Sequence, residues 1–251
     1  MSAVRSRSSL AVPIVFTSVA LAALVGLGTW QLQRKAWKEG LIDTLETRLI
    51  AAPVDLPPRA RWPSLNPTAD EFRRVKFAAT LVPGEEALVY ASGSAFRPDV
   101  TGPGYWVFAP ARLAGGGTVV VNRGFVPEGR QHPVSRAEGA TKGPHEMVGV
   151  LRWPEAAGWF APSHDAARNL WFVRDPPAIA AAKGWTDVPP FYVELESPQP
   201  AGGLPQPGPL KARLRNEHLG YAITWYGHAV VVIVMFAFWL YSRRRSAGAQ
   251  A

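Results

Sequence analysis

Four side chains near the end of the chain, His218, Tyr221, Trp225 and His228, follow one another at intervals of three and four residues. On a helix turning by ~100° per residue they share an arc of about 80°. Near the start, Trp30, Gln33, Arg34, Trp37 and Leu41 fall on one helical face by the same spacing. Indole and phenol rings offer flat apolar surface, neutral imidazole ligates metals, and guanidinium pairs with carboxylates through charge-assisted hydrogen bonds. Together these groups suit a planar, apolar molecule with anionic edges, and haem is the obvious candidate. A plainer reading stands beside it, because rings and cations at a helix end are also what a membrane anchor carries. His218 and His228 lie ten residues apart, ~15 Å along a helix, so they cannot grip one iron from both sides. His228 falls inside an apolar run, where an ionisable group is a functional suspect. A neutral imidazole with an interhelical hydrogen bond would account for it equally well.

Other candidates for chemistry fail on spacing. Ser163-His164-Asp165 imitates a triad, but sequence neighbours on an extended chain point to opposite faces and do not converge. Gly115-Gly116-Gly117 lacks the Lys and following helix of a phosphate loop and reads as a hairpin turn. Ser92-Gly93-Ser94 lacks the glycine pattern of a nucleophile elbow. Glu85-Glu86 reads as a solvated turn, and His132, His145 and His164 fall in loops without metal-ligand spacing. The chain has no Cys, which removes disulfides, thiolate zinc sites, iron–sulfur clusters and Cys nucleophiles. No enzyme is expected.

The elements that must position the two stripes are two apolar runs. Leu10 to Thr29 is twenty residues without a charge, and Ala222 to Tyr241 is twenty with His228 alone ionisable. At ~1.5 Å per residue each is roughly 30 Å long, the thickness of a bilayer's hydrocarbon core. A cleaved signal peptide is the alternative for the first, with Ala20-Leu21-Ala22 as its small-residue site. The apolar run continues past it to Leu27, which favours a retained span. The expected plan is a tail over residues 1–9, a span over 10–29, a β-rich domain over 30–217, a second span over 218–241 and a tail over 242–251. Two spans put both tails on one side. Long connecting domains cross regardless of charge, so Arg5, Arg7 and Arg243 to Arg245 favour cytoplasmic tails and an extracytoplasmic domain.

A net charge of +8 raises the question of nucleic acid. Those five tail arginines leave 22 of the 27 cations against all 19 acids between residues 30 and 217, a net of +3. A phosphate-binding groove would concentrate charge on the folded part, so nucleic acid is not expected as a partner. The 47% hydrophobic content and ten Trp also exclude a disordered chain.

Between the spans, short alternating runs predict strands at 75–82, 87–91, 105–109, 118–122, 147–153, 170–173 and 191–195. A short helix is expected at 177–183, with Gly184 past its end. The Pro-rich stretches after Pro53 and from Pro198 to Pro209 read as linkers. The class is α+β: two transmembrane helices flanking a β-rich extracytoplasmic domain, its sheet a sandwich or barrel rather than a parallel βαβ fold.

The segment Gly26-Leu27-Gly28-Thr29-Trp30-Gln31-Leu32-Gln33-Arg34-Lys35-Ala36-Trp37-Lys38 resembles the LGxWQxxRxxWK signature of the surfeit locus protein 1 family, the cytochrome c oxidase assembly factors. Arg215-Asn216-Glu217-His218-Leu219-Gly220-Tyr221, followed by Thr224-Trp225-Tyr226-Gly227, is similar to that family's RNEHLxYxxTWYG block. Val120-Val121-Asn122-Arg123-Gly124-Phe125-Val126-Pro127 resembles its VNRGWVP segment, with Phe125 in place of Trp. Trp171-Phe172-Val173-Arg174-Asp175 resembles its W-x-x-R-D, while the block between Pro98 and Pro110 follows the pattern only loosely.

The resemblance implies a multi-pass protein of the bacterial inner membrane with its central domain in the periplasm. It further implies transient binding of haem a and its insertion into cytochrome c oxidase subunit I, with the haem a synthase and membrane lipid as further partners. His218 is the implied iron ligand, with Tyr221, Trp225, Trp30 and Arg34 around the macrocycle and Arg34 or Arg215 at a propionate. Two other readings stay open: a scaffold for subunit I and the synthase that never touches iron, and a tethered extracytoplasmic sensor.

Overall fold

A computed structural model describes residues 10–94, 96–139, 143–211 and 216–248; the tail over 1–9 and Arg215 lie outside them. The chain divides into two units, one built from residues 1–43 and 215–251, the other from residues 44–214.

Helix α1 (Ala11–Ile50) is 40 residues long, ~60 Å from end to end. Pro13 sits in its first turn, where a missing N–H costs nothing. The helix does not stop at Thr29. Residues 30–50 hold no Pro and carry four Leu with two each of Gln, Lys, Glu and Arg, so good helix formers continue the backbone pattern. Helix α4 (His218–Gly248) is the last element. Both are long and apolar enough to cross a membrane, and almost none of either apolar stretch is buried within the protein. Val12, Phe16, Val19, Val231, Met235 and Phe238 are all more than half exposed. Apolar surface of that extent in water would be strongly unfavourable, so the helices belong in lipid. The protein is membrane-associated.

The second unit is a closed barrel. Strands β2 (Arg74–Leu81), β6 (His145–Arg152), β8 (Tyr192–Ser197), β5 (Thr118–Pro127) and β4 (Thr101–Leu113) pair in that order, and β4 returns to pair with β2 through Leu81↔Ala111. β4 reaches both neighbours because it runs for 13 residues, well beyond the 105–109 expected from its alternation. Two-residue β1 (Val54–Asp55) extends the sheet beside β2; β3 (Ala87–Gly93) and two-residue β7 (Leu170–Trp171) extend it beyond β4. The barrel expectation is met, with parallel pairings of β5 and β8, β1 and β2, and β3 and β7 inside an otherwise antiparallel sheet.

Alternation places Val75, Ala79 and Leu81 of β2, Val119 and Val121 of β5, and Val193 and Leu195 of β8 inside the barrel. Trp62 and Leu65 join that core from the Pro-rich stretch after Pro53. This segment is therefore more than a linker: it includes a 3-10 helix, Arg59–Ser64, and the four-residue α2 (Pro67–Asp70), capped by the Asn66 side chain. The Trp62 indole donates to Pro57 O at 2.9 Å and meets Phe191 edge-on, which closes the barrel interior.

A second layer covers the outer face. α3 (Pro176–Lys183) buries Ile179 and Ala180 beside Trp106, Phe108, Val120, Phe125 and Tyr192. Asp175 of the W-x-x-R-D segment caps α3 by accepting from Ala178 N, and Gly184 ends it in the left-handed conformation. Arg174 of the same segment is buried under this layer. Its guanidinium lies 4.7 Å from the Trp106 ring and 3.5 Å from Glu194, which also faces Arg152 at 3.6 Å. Burial works to lower the Arg174 pKa, but Glu194, Tyr192 and Glu155 together outweigh it and the net direction is upward.

The VNRGFVP segment shows why its small residue is needed. Gly124 has φ +121, and a Cβ there would lie 2.2 Å from the Gln206 backbone. That close approach lets Phe125 and Gln206 exchange backbone hydrogen bonds of 3.0 and 2.8 Å, which ties the Pro198–Pro209 stretch to β5. Gly124→Ala is expected to destabilise this unit by about 2–3 kcal/mol, from backbone strain and the lost pairing together. Urea unfolding followed by tryptophan fluorescence checks it, and an unchanged midpoint would contradict the close-approach account.

Candidate functional site

In the helical unit the spacing that matters is the one that brings α1 and α4 together. The half-buried or buried positions of α1 include Thr17, Leu21, Leu24, Gly28, Gln31 and Lys35, repeating every three or four residues. On α4 they include His218, Ala222, Trp225, Tyr226 and Ala229. Gly28 is the point of closest approach, where a Cβ would sit 2.8 Å from the Tyr226 ring. Small residues serve this purpose between helices in lipid, where packing rather than hydrophobicity drives association. Beside it the Thr29 and Tyr226 hydroxyls hydrogen-bond at 3.1 Å. Toward the C-terminal end of the same contact, Gln31 Oε1 lies 2.7 Å from His218 Nδ1. Partner numbers rise along α1 as they fall along α4, so the two helices run antiparallel.

The His218–Gln31 contact sets the chemistry of the imidazole. An amide oxygen only accepts, so in the neutral imidazole Nδ1 carries the proton and Nε2 the lone pair. Nε2 makes no hydrogen bond to a described residue. Metal-ligating histidines are held in this way, with one ring nitrogen donating to an acceptor and the other left for the metal. His228 has its Nδ1 2.7 Å from Thr224 O on its own helix, and its ring lies 6.4 Å from that of Trp225. Among the described residues no group of three or more His, Cys, Asp or Glu could hold a bare metal ion. A site here needs a metal that brings most of its own ligands, and a macrocycle does that.

The two ring stripes are not pressed between the helices. Trp30, Arg34, Trp37 and Tyr221 are exposed, as is His228, while Trp225 is half-buried. The Arg34 guanidinium stacks on Trp37 of its own helix at 4.2 Å from the ring centre. Measured from Gly28, Trp30, Arg34 and Trp37 lie roughly 120–180° round, so this stripe is on the outward side of α1, while His218 and Trp225 lie on the seam itself. A closed slot between the helices is not what the packing produces. Arg215, the other cation suggested for a propionate, lies outside the described residues.

A protein-family model described as the SURF1 family matches residues 18–230, which takes in most of α1, the whole barrel and the first part of α4. The chain belongs to the SURF1 family. It is 36% identical over 233 residues to a SURF1-like protein of Monosiga brevicollis, covering 88% of this chain and 83% of that one. Surfeit locus protein 1 of Rattus norvegicus is 35% identical over 216 residues, 82% of this chain and 68% of the relative. The Homo sapiens protein of that name is 33% identical over 213 residues, 80% and 69%. The SURF1 family is known for cytochrome c oxidase assembly, in keeping with the motifs at the two ends of the chain.

Of the SURF1 residues singled out from sequence, His218 and Trp225 lie on the seam, and Trp30, Arg34 and Tyr221 are exposed outside it. Sequence reading grouped Gln31 with the family motif but gave it no task, because it lies off the aromatic stripe. Gly28 and Tyr226 were likewise quoted without a role. The available signal was the repeat of small residues at Gly28, Ala222 and Ala229. Ser163-His164-Asp165 does not converge: His164 Nδ1 accepts from Phe172 N at 3.2 Å, and Asp165 pairs with exposed Arg168. His145 opens β6 rather than lying in a loop.

Proposed function

We propose that this protein serves cytochrome c oxidase assembly by carrying haem a, with His218 as the iron ligand, and handing it to subunit I. The observation that carries the reading is the 2.7 Å contact between Gln31 and His218, which in the neutral imidazole leaves the Nε2 lone pair for a metal. When bound, haem would supply the metal and its four equatorial nitrogens, with no reaction to catalyse. Trp30, Trp37, Tyr221 and Trp225 would shield the ring faces from water, and Arg34 would pair with a propionate. Exposed rings suit a carrier. Delivery requires that the acceptor offer a better site, so shielding on one side with release from the other is more useful than enclosure. In this reading the haem a synthase supplies the cargo, the tails lie in the cytoplasm of a bacterial cell, and the barrel lies in the periplasm beside the inner membrane. Carriage needs no turnover, so no enzymatic step is assigned.

One observation favours a scaffold instead. The Trp30–Arg34–Trp37 stripe faces outward, where it could pack against partner helices without any haem. An absorbance spectrum separates the two. Protein purified from cells that make haem a is expected to carry near-stoichiometric haem with the bands of the a-type. Colourless protein, from cells whose oxidase still fails to assemble without it, would leave the scaffold.

A further inference from the structure

Arg123 of the VNRGFVP segment takes no part in the helical site, and its surroundings in the barrel unit are unusual. Its guanidinium donates to Glu86 Oε1 and, at 2.9 Å, to Gly139 O. Arg136 approaches the same carboxylate from the other side, donating from Nη1 to Oε1 at 3.1 Å and from Nη2 to Oε2. The Arg136 side chain is 3% exposed, and those of Arg123 and Glu86 are each 12% exposed. Two desolvated guanidinium groups therefore share one carboxylate, leaving a net positive charge out of water. Arg136 Nε is buried with no hydrogen-bond partner among the described residues. Burial lowers the Arg123 pKa, and the neighbouring Glu86 only partly opposes it. Beside the three side chains lies a cavity of about 190 Å³, walled by Leu81, Val82, Pro83 and Pro133 and lined by both arginines and Glu86.

We infer that this cavity is a recognition site for a carboxylate, presented by a partner polypeptide as an acidic side chain or a chain end. The guanidinium fork matches a carboxylate in two places at once, and the uncompensated charge favours a second anion where water is excluded. The apolar walls suit the methylenes and backbone that carry the group. Glu86 then acts as an internal occupant, holding the two arginines apart and aligned until the external carboxylate arrives and shares them. This inference is independent of haem binding, since the site lies wholly within residues 44–214.

The test uses full-length protein in detergent with its arginines labelled with nitrogen-15, so that the Nε–H signals of Arg123 and Arg136 report on the site. The probes are sodium acetate and the capped peptide acetyl-Ala-Glu-Ala-amide, with sodium chloride as the ionic-strength control. Both carboxylates are expected to shift those two signals saturably, the peptide at roughly tenfold lower concentration, and chloride is not. Equal concentrations for the two probes would identify a free carboxylate as the ligand rather than a peptide-borne one. Glu86→Gln removes the internal competitor and is expected to tighten peptide binding about tenfold. Arg123→Leu is expected to abolish saturation, and Arg123→Lys, which keeps the charge but loses the fork, to weaken it several-fold. The inference is overturned if neither probe saturates in the wild type, or if Arg123→Leu binds as the wild type does. It is also overturned if Glu86→Gln folds without gaining affinity, since the three side chains would then be a structural ion triad and nothing more.

Discussion

His218→Ala is expected to yield protein with at least tenfold less haem a than the wild type when both are purified from cells that make it, while His228→Ala keeps its haem. The difference follows from what holds each ring. His218 Nδ1 is bound to Gln31 on the opposite helix, so the imidazole is fixed in tautomer and direction by a group outside its own backbone. Among the described residues His228 is bonded to Thr224 O one turn back on its own helix, an arrangement that satisfies a polar side chain in lipid without support from the opposite helix. Gln31→Leu is the sharper variant. It leaves the ligand in place but removes the acceptor, and loss of such a support costs about 10- to 100-fold in metal affinity. A spectrum in which Gln31→Leu retains haem of altered ligand field, and His218→Ala retains none, would establish both roles. If His228→Ala alone loses haem, the ligand is His228. Full occupancy in His218→Ala and His228→Ala alike would remove imidazole ligation from this helix pair.

The largest effect on stability is expected at Glu194. This carboxylate, 1% exposed, stands between Arg152 and Arg174. The distances of 3.6 and 3.5 Å are ion pairs rather than good hydrogen bonds. Their attraction is therefore Coulombic, in surroundings that screen little. Glu194→Gln keeps the shape and removes the buried one of the two carboxylates that Arg152 and Arg174 share, leaving them the half-exposed Glu155 and, for Arg152, Glu71. Breaking a buried pair by removing one partner costs about 3–5 kcal/mol. Denaturation of the full chain, followed by tryptophan fluorescence, should show that loss, whereas Arg168→Ala, which removes an exposed pair with Asp165, should show none. A Glu194→Gln midpoint within error of the wild type would mean that Glu155 and Glu71 suffice to neutralise the two arginines.

Tyr192 adds a pH dependence to the same cluster. Burial pushes its hydroxyl up to about 12 from an ordinary value of 10. The neutral phenol is the form that the fold favours, so its contribution is complete below pH 10. It is lost as pH rises from 10 through about 12, because the unfolded chain ionises first. The Tyr192→Phe variant should lack that part of the alkaline slope. In acid the opposite sign applies at Asp99, where the hydrogen bond from Arg97 holds the carboxyl below the usual carboxylate range. That contribution is present near neutrality and is lost as the carboxylate takes up a proton.

What the sequence determined by itself was whatever depends on neighbours along the chain. Two uncharged runs of twenty residues can only be helices in lipid, because every backbone polar group must find its partner within the run. Alternation located seven of the eight strands to within a few residues, except that β4 and β5 run on for several more. It missed β1, two residues long and exposed on both, for want of a pattern to read. The Gly184 end of α3 was legible for the same local reason, whereas the Asp175 cap came from the structure. The tertiary structure alone decided which faces meet. The helical period grouped Trp30, Arg34 and Trp37 into one stripe but could not say whether it faced α4 or lay beside the contact. Gly28 settled that, by letting Tyr226 approach where no larger residue would. Strand alternation put Tyr192 and Glu194 on the polar, outward face of β8. Whether that face met water depended on α3 and Arg174, which arrive from elsewhere in the chain and bury it. Trp62 shows the same limit, a residue in a Pro-rich stretch that fills the barrel because the ring of strands leaves room there. Periodicity records which side chains share a face, whereas burial of that face depends on segments distant in sequence that no local pattern encodes.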